Sequence, residues 1–130
     1  MLLRNAEKFE KVIEDKKTGF IAASPLSRGL LGGKDYSNLK FSDSDVRKKW
    51  GVGEQQNEWY KSQQEKLSKL KELSLKWNVP LKKLAIAYVI SGKIMTAIPG
   101  MKSEEDVNEI LDSLSIAPLD KEKIEMIREL

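Results

Sequence analysis

Cysteine and histidine are both absent from this sequence of 130 residues. Without cysteine there is no disulfide framework, and without either residue the chain lacks the usual ligands of zinc, copper and haem. The absence of histidine also excludes Ser-His-Asp and Cys-His nucleophile activation and removes the commonest general acid or base near neutral pH. Any catalysis would depend on Asp, Glu, Lys or Tyr. Carboxylate sites for magnesium stay open, but no pattern indicates a metal site.

Long apolar runs and a strong excess of one charge are also missing. The opening Met1 to Glu10 lacks the apolar stretch of a signal peptide, and no segment approaches the roughly 20 apolar residues of a membrane span. The 23 basic and 20 acidic residues leave a net charge of only +3, which is a weak signal for nucleic acid. We therefore expect a cytoplasmic protein without a membrane partner, and we do not expect nucleic acid as its ligand.

Two short apolar segments have the character of buried strands. Phe20 to Ser24 is stopped by Pro25, and Ile94 to Ile98 is stopped by Pro99. Compact apolar runs with such boundaries are typical of parallel strands that are covered on both faces. We predict one strand in each segment.

Apolar residues at three- and four-residue spacing predict helices around these strands. The main pattern predicts a long surface helix from Glu54 to Trp77, and Pro80 begins a second helix that ends at Gly92. Further helices are predicted from Ala6 to Lys17, from the N-cap Ser103 to about Leu114, and from the N-cap Asp120 to Leu130. Pro25 to Gly53 is predicted to be a long loop, with at most one helical turn around Asp45 to Trp50. This order matches parallel strands joined by helical crossovers.

Two strands are too few for a parallel sheet, which needs cover on both faces and neighbours at its edges. The strand edges must therefore pair with something outside this sequence. We expect the chain to be part of a larger α/β domain that associates with itself or with another chain. A homodimer is the simplest closure.

The loops after both predicted strands suit a phosphate group. Each loop leads from a strand end to a helix start, which is where parallel α/β folds bind ligands. Backbone N–H groups of small residues can approach a phosphate there, and Arg28, Lys34 and Lys102 offer full charges. The same spacing is also that of ordinary tight turns. In addition, three acidic residues after Ser103 already place negative charge at the N-terminus of one helix, where the helix dipole would otherwise favour a phosphate. Both interpretations stay open at this point.

The string from Gly29 to Lys34 is similar to a Walker A loop but lacks its required residues. Arg28 stands where the first glycine is needed, and Asp35 stands where Ser or Thr would bind magnesium. We therefore exclude this motif.

Two longer motifs resemble those of the aldo-keto reductase family. Ser24 to Lys34 reads S-P-L-S-R-G-L-L-G-G-K, similar to the family's seventh-strand loop S-P-L-x-x-G-L-L-T-G-K. Ile98 to Ile110 resembles the family's last-strand motif I-P-G-x-K/R-S/T-x-x-Q/R-V/L-x-E-N. Shorter matches are Arg4 with Glu7, Asp45-Val46-Arg47, and Leu84-Ala85-Ile86-Ala87-Tyr88. The resemblance covers essentially the whole chain.

The resemblance implies the C-terminal part of a (β/α)8 TIM barrel, with residues 1–130 forming one partial domain from the sixth helix onward. The family reduces carbonyls or oxidises alcohols with NADP(H), which lies across the C-terminal ends of the strands. Its catalytic Asp, Tyr, Lys and His belong to strands outside this sequence, so no residue here is assigned a catalytic role. Tyr36 is predicted in a loop, Tyr60 in the long helix and Tyr88 in the core. We expect the chain to be inactive alone.

The resemblance also implies a set of NADP(H) contacts. Around the pyrophosphate it places Ser24, Leu26, Gly29 and Lys34, and around the adenosine end Lys102, Ser103, Asp106 and Glu109. Asp106 stands where the family commonly has glutamine or arginine near the 2′-phosphate, and an aspartate would repel that group unless it is solvated or paired. Ile110 replaces an asparagine that contacts adenine. We therefore expect cofactor affinity that is weaker than in an intact relative, or lost.

Two alternatives to an inactive, self-associating fragment stay open. In the first, a separate chain supplies strands one to five and completes an active barrel in trans. In the second, the lysine-rich helix from Glu54 to Trp77 makes the chain a helical interaction or nucleic-acid-binding module. Its lysines are interspersed with glutamates, as on a solvated helix face, which weakens the second alternative.

Overall fold

A computed structural model describes residues 9–16, 19–33, 35–36, 38–51, 58–92 and 96–130. The expectations for Arg4, Glu7 and Lys34 lie outside these residues, as does the predicted start of the long helix at Glu54. The described helices are α1 Glu10–Lys16, α2 Val46–Lys49, α3 Glu58–Lys76, α4 Leu81–Ile90, α5 Glu104–Asp112 and α6 Lys121–Arg128. The strands are β1 Ile21–Ala23 and β2 Thr96–Ile98, and 3-10 helices span Ser27–Gly32 and Ser113–Ile116.

The two strands form a parallel pair, as the order of the predicted elements requires. Ile21 pairs with Thr96, and the register continues to Ala23 and Ile98. The chain between the strands passes through α2, α3 and α4, so the predicted helical crossover is confirmed. β1 is shorter than the predicted strand at both ends, and the predicted beginning of β2 at Ile94 lies outside the described residues.

One face of this strand pair is open. Ala22 and Ala97 are half-buried, whereas Ile21 and Ile98 on the opposite face are 59% and 61% exposed. Successive residues of a strand point to opposite faces, so the alternation shows that cover is present on one side. The described helices pack against one face only, so they do not supply the cover of the other face that the apolar strands lead us to expect.

The core is built around α4, which is apolar on nearly all sides. Its buried residues are Leu81, Leu84, Ala85, Ile86, Ala87, Tyr88 and Val89. A helix without a polar face must be enclosed by neighbouring elements. Leu70 of α3, Leu31 of the first 3-10 helix and Ile127 of α6 belong to the same cluster of buried side chains as Leu84. The prediction that Tyr88 lies in the core is confirmed.

A local turn separates α3 from α4, as the sequence predicts. Asn78 takes a left-handed conformation with φ of 51°, which ends a helix. The Val79 N–H donates to the Ser74 carbonyl oxygen at 3.0 Å, and the Ser74 hydroxyl donates to the Val79 carbonyl oxygen at 2.6 Å. Pro80 then stands at the N-cap of α4. The short connection allows the two helices to pack against each other.

The predicted helix caps are present in the structure. The Ser103 hydroxyl oxygen accepts the Asp106 N–H at 3.2 Å at the start of α5, and an Asp120 carboxylate oxygen accepts the Lys123 N–H at 2.8 Å at the start of α6. Each bond satisfies a backbone donor that has no partner within the helix. These starts are therefore set by local chemistry.

Within the predicted loop from Pro25 to Gly53, the described residues contain more regular structure than the sequence predicts. The predicted helical turn is α2, but the 3-10 helix Ser27–Gly32 was expected to be loop. Leu30 and Leu31 are only 4% and 1% exposed, so the backbone winds tightly to place adjacent apolar side chains in the interior. One turn of helix is too short for a recognisable apolar period.

We expect Leu84→Ala to lower the free energy of unfolding by about 2 to 5 kcal/mol, because truncation of a fully packed side chain leaves a cavity. Leu84 is 1% exposed. Urea denaturation followed by circular dichroism measures the loss. Leu75→Ala is the matched control, since Leu75 on α3 is 80% exposed and its loss should change stability by no more than about 0.5 kcal/mol. Equal losses in the two variants would contradict the central position of α4.

Candidate functional site

The loops that follow β1 and β2 leave the sheet at the same edge. Because the strands are parallel neighbours in register, the chain after Ala23 and the chain after Ile98 emerge side by side. The described cofactor-contact candidates lie in these two loops and in the helix that follows the second: Ser24, Leu26 and Gly29, then Lys102, Ser103, Asp106 and Glu109. The eighth candidate, Lys34, lies outside the described residues. The parallel pairing thus places the candidates after β1 and the candidates after β2 at the same end of the strand pair.

The loop after β1, here called the first loop, has an unusual backbone. Ser24, Ser27 and Arg28 have φ values of 54°, 54° and 58°, and Gly29 has φ of 93°. The Ser27 N–H donates to the Ser24 carbonyl oxygen, and the Gly29 N–H donates to that of Leu26, both at 3.0 Å. Left-handed conformations are uncommon outside glycine, and they persist where packing and hydrogen bonds hold them. Such segments are common at ligand sites.

Gly29 is in close contact with Tyr36. A Cβ atom at Gly29 would lie 3.3 Å from the Tyr36 hydroxyl oxygen, and the positive φ would strain any side chain placed there. The predicted loop residue Tyr36 therefore packs on the first loop. Glycine is required at this position for both reasons.

The Arg28 guanidinium lies between two indole rings. Its central carbon is 4.6 Å from the ring centroid of Trp59 and 5.2 Å from that of Trp50. Both are cation–π contacts, and they tie the first loop to the end of α2 and to the first turn of α3. The sequence analysis offered Arg28 as a cation for phosphate, whereas the structure places it in these contacts. No sequence spacing connects these three residues, so the arrangement could not be predicted.

The loop after β2, here called the second loop, is fixed by Asp106. One carboxylate oxygen of Asp106 accepts the Lys102 backbone N–H at 3.0 Å, and the other accepts the Lys82 ammonium group at 2.7 Å. Lys82 also pairs with Glu109, one turn further along α5. Lys82 belongs to α4 and its side chain is 14% exposed, so this cation ties the core helix to α5. Lys82 was not predicted from the sequence as part of this site. The sequence indicated only that Asp106 would repel a phosphate unless it is solvated or paired with another group.

The charge states in this cluster follow from its hydrogen bonds. The hydrogen bond from Lys82, together with that from the Lys102 backbone, lowers the pKa of Asp106 from 3.8 to about 2. Burial lowers the pKa of Lys82, but its hydrogen bonds to Asp106 and Glu109 outweigh burial and leave that pKa above its usual value. Asp106 and Lys82 are therefore both charged near neutral pH. The positive end of the α5 dipole faces a carboxylate that the protein itself supplies.

A third segment lies near the second loop. Asp45 caps α2 by accepting the Arg47 N–H at 2.9 Å, and it also pairs with the Arg47 guanidinium at 2.5 Å. These two hydrogen bonds lower the pKa of Asp45 to about 2, and the positive charge of Lys102 contributes to the shift. The motif Asp45-Val46-Arg47 is therefore close enough to Lys102 for their charges to interact.

The described ranges, residues 9–16, 19–33, 35–36, 38–51, 58–92 and 96–130, offer neither a metal cluster nor a membrane helix. No group of three or more Asp or Glu side chains there is placed to hold a metal ion. None of the helices in those ranges combines the length and apolarity of a membrane span. The chemistry of the described site therefore consists of backbone N–H groups, hydroxyls, carboxylates and ammonium groups.

A protein-family model matches this sequence. It is the model of the Aldo/keto reductase family, and the match covers residues 1–130. No curated protein and no solved structure matches the chain. The matched range includes both loops and all of the described helices.

Stability should depend on pH through Asp106. Because the pKa of Asp106 is about 2 in the folded chain and 3.8 ordinarily, its ion pair stabilises the fold above the ordinary value and is lost as the pH falls toward 2. We expect Asp106→Asn to melt at a lower temperature than the wild type near neutral pH, and the difference to fade in acid. Thermal melts at a series of pH values measure this. The control is Glu105→Gln, an exposed neighbour in the same turn, and an equal effect there would contradict the assignment.

Proposed function

Since the chain belongs to the aldo/keto reductase family, we propose that it supplies the nicotinamide-dinucleotide-binding part of a carbonyl reductase. The family generally uses NAD(P)H, and its fold is a (β/α)8 barrel. One observation carries the proposal: two parallel neighbouring strands end in loops that bear the family's nucleotide motifs. In barrels of this type the ligand lies at the C-terminal ends of the strands.

The first loop would hold the pyrophosphate. Residues 24–33 contain no acidic side chain, and Ser24 is exposed at the end of β1. Positive φ values at successive residues turn the backbone of this loop sharply, and turns of this kind can form a concave surface that binds anions. The Gly29 N–H is already engaged within the loop, so the Ser24 hydroxyl is the proposed donor to the pyrophosphate. Ser24, Leu26 and Gly29 are therefore the proposed pyrophosphate contacts, with Lys34 assigned by its place in the motif.

The second loop and α5 would hold the adenosine end. Lys102 and Ser103 are exposed there, and Asp106 and Glu109 lie half-buried beside them. The observed pairing of Asp106 with Lys82 keeps α5 in place against the core, which positions these residues. Ile110 offers no hydrogen-bonding group to an adenine base.

We assign no catalytic residue in these 130 residues. The bound dinucleotide would supply the hydride, and protonation of the carbonyl oxygen would need an acid from another part of the barrel. Tyr60 and Tyr88 are buried in hydrophobic clusters, and Tyr36 is packed on Gly29. We therefore propose that these residues bind nucleotide but do not reduce carbonyls by themselves.

We also propose that the open face of the strand pair is covered by further barrel strands. Ile21 and Ile98 expose more than half of their surface on that face, and the sheet formed by the described strands has two members, fewer than a closed barrel needs. A complementary N-terminal half-barrel would supply both the cover and the further strands. A second copy of the chain is the other candidate for this cover. Carbonyl reductase activity should appear only with the half-barrel, because a second copy would add no catalytic residues.

Gly29→Ala should weaken nucleotide binding by about tenfold, because the strained backbone and the contact with Tyr36 would displace the first loop. Quenching of tryptophan fluorescence during titration with NADH measures the affinity. Gly92→Ala is the matched control, since no atom lies within 4 Å of its Cβ position. Equal affinities of all three proteins would contradict the pyrophosphate assignment, provided that circular dichroism shows them folded.

Ile98→Lys should abolish association through the open strand face, because a charge there could not be buried against an apolar partner. Size-exclusion chromatography with light scattering measures the assembly of the chain alone and of the chain mixed with strands one to five of a family barrel. We expect the wild type to self-associate or to form the mixed complex. Leu75→Lys is the control at another exposed apolar position, on α3. A monodisperse wild-type monomer in both samples would contradict the proposal.

A further inference from the structure

We infer that this chain discriminates against 2′-phosphorylated dinucleotides and binds NAD(H) in preference to NADP(H). The inference rests on the proposed nucleotide function and concerns the first turn of α5. The resemblance implied NADP(H). In the structure, however, the Lys102 and Asp106 N–H groups and the Lys82 ammonium group already donate to oxygen atoms of the protein, and the first turn of α5 is acidic, so the residues present do not fit a phosphate there.

Several hydrogen-bond donors near the start of α5 are already in use. A phosphate at a helix N-terminus is held by free backbone N–H groups and nearby cations. Here the Lys102 N–H and the Lys82 ammonium group both donate to Asp106, and the Asp106 N–H donates to the Ser103 hydroxyl oxygen. A 2′-phosphate would have to displace a carboxylate that is bound at 2.7 Å and 3.0 Å.

The charge around the start of α5 also disfavours a phosphate. The acidic residues on the first two turns of α5 are Glu104, Glu105, Asp106 and Glu109. The described cations nearest to them are Lys82, which is paired with both Asp106 and Glu109, and Lys102, whose charge also interacts with Asp45. The carboxylates outnumber the ammonium groups. Like charges brought together in a binding site repel strongly, so a doubly charged phosphate is disfavoured.

The carboxylate of Asp106 can still accept a hydrogen bond from a hydroxyl group of a ligand. An ionised carboxylate has about four lone-pair positions, so Asp106 can accept a further hydrogen bond while keeping those from Lys82 and Lys102. A ribose 2′-hydroxyl is a donor. In dinucleotide sites of α/β folds an acidic residue binds this hydroxyl, whereas an arginine accommodates the 2′-phosphate. The charge and the fixed position of Asp106 therefore favour the unphosphorylated ribose.

Calorimetric titration of the wild-type chain with NADH and with NADPH tests the inference directly. We expect NADH to bind at least about tenfold more tightly, because repulsion of that kind costs several kcal/mol when it is not screened. The preference should shrink at high salt, since screening weakens it. Asp106→Gln should reduce the ratio, and Asp106→Arg should reverse it. Glu105→Gln, which removes a charge from the same turn without touching the Lys82 pair, should reduce the ratio less than Asp106→Gln does.

The outcomes separate the inference from the function on which it depends. Wild-type binding of NADPH as tight as that of NADH, or tighter, overturns the inference and leaves nucleotide binding standing. An unchanged ratio in Asp106→Arg also overturns it, and circular dichroism verifies that the variant is folded. Failure of the folded wild type to bind either nucleotide overturns the proposed function itself.

Discussion

The burial of α4 is the constraint on which the rest of the structure depends. A helix with Leu84 at 1% and Ala87 at 0% exposure gains on the order of 1.5 to 3 kcal/mol for each large side chain it buries, but only if other elements enclose it. The elements that enclose it are also those that carry the candidate site. The first 3-10 helix contributes Leu31 to its cluster, and β2 and α5 contact it directly. The two loops are thus positioned by the packing of a helix that takes no part in ligand binding.

The polar edge of this helix has an equally specific function. Lys82 leaves the apolar surface of α4 and meets two carboxylates of α5, in surroundings where each charge depends on the other. Loss of Asp106 would leave Lys82 with Glu109 as its remaining carboxylate partner in this cluster, so the cation would keep only part of its compensation. The same interaction that locks α5 onto the core therefore also determines which charge the second loop presents. Substitution of Asp106 is therefore expected to affect both the stability of α5 and the nucleotide preference that we infer.

How far the sequence could predict this structure depends on the distance between interacting residues. The caps at Ser103 and Asp120 and the turn at Asn78 rest on groups within five positions of one another, and each was predictable from local chemistry. The pairing of Lys82 with Asp106, 24 positions apart, and the placement of Arg28 between Trp50 and Trp59 arise only when the helices pack. That the strands need cover beyond these residues was predictable from their apolar composition, whereas the face left open was not. An apolar run shows that cover is needed, but it does not show which chain supplies it.

The position of Arg28 has a consequence for the motion of the first loop. A cation–π contact at an exposed site contributes only about 0.5 to 1 kcal/mol, so release from both indoles costs about 1 to 2 kcal/mol, roughly two to three times thermal energy. We therefore expect a minor population, on the order of one molecule in ten, in which the guanidinium is detached from both rings. Because Trp50 and Trp59 flank the same cation, their emission should change together when it leaves. The protein thus contains its own optical reporter of this conformational equilibrium.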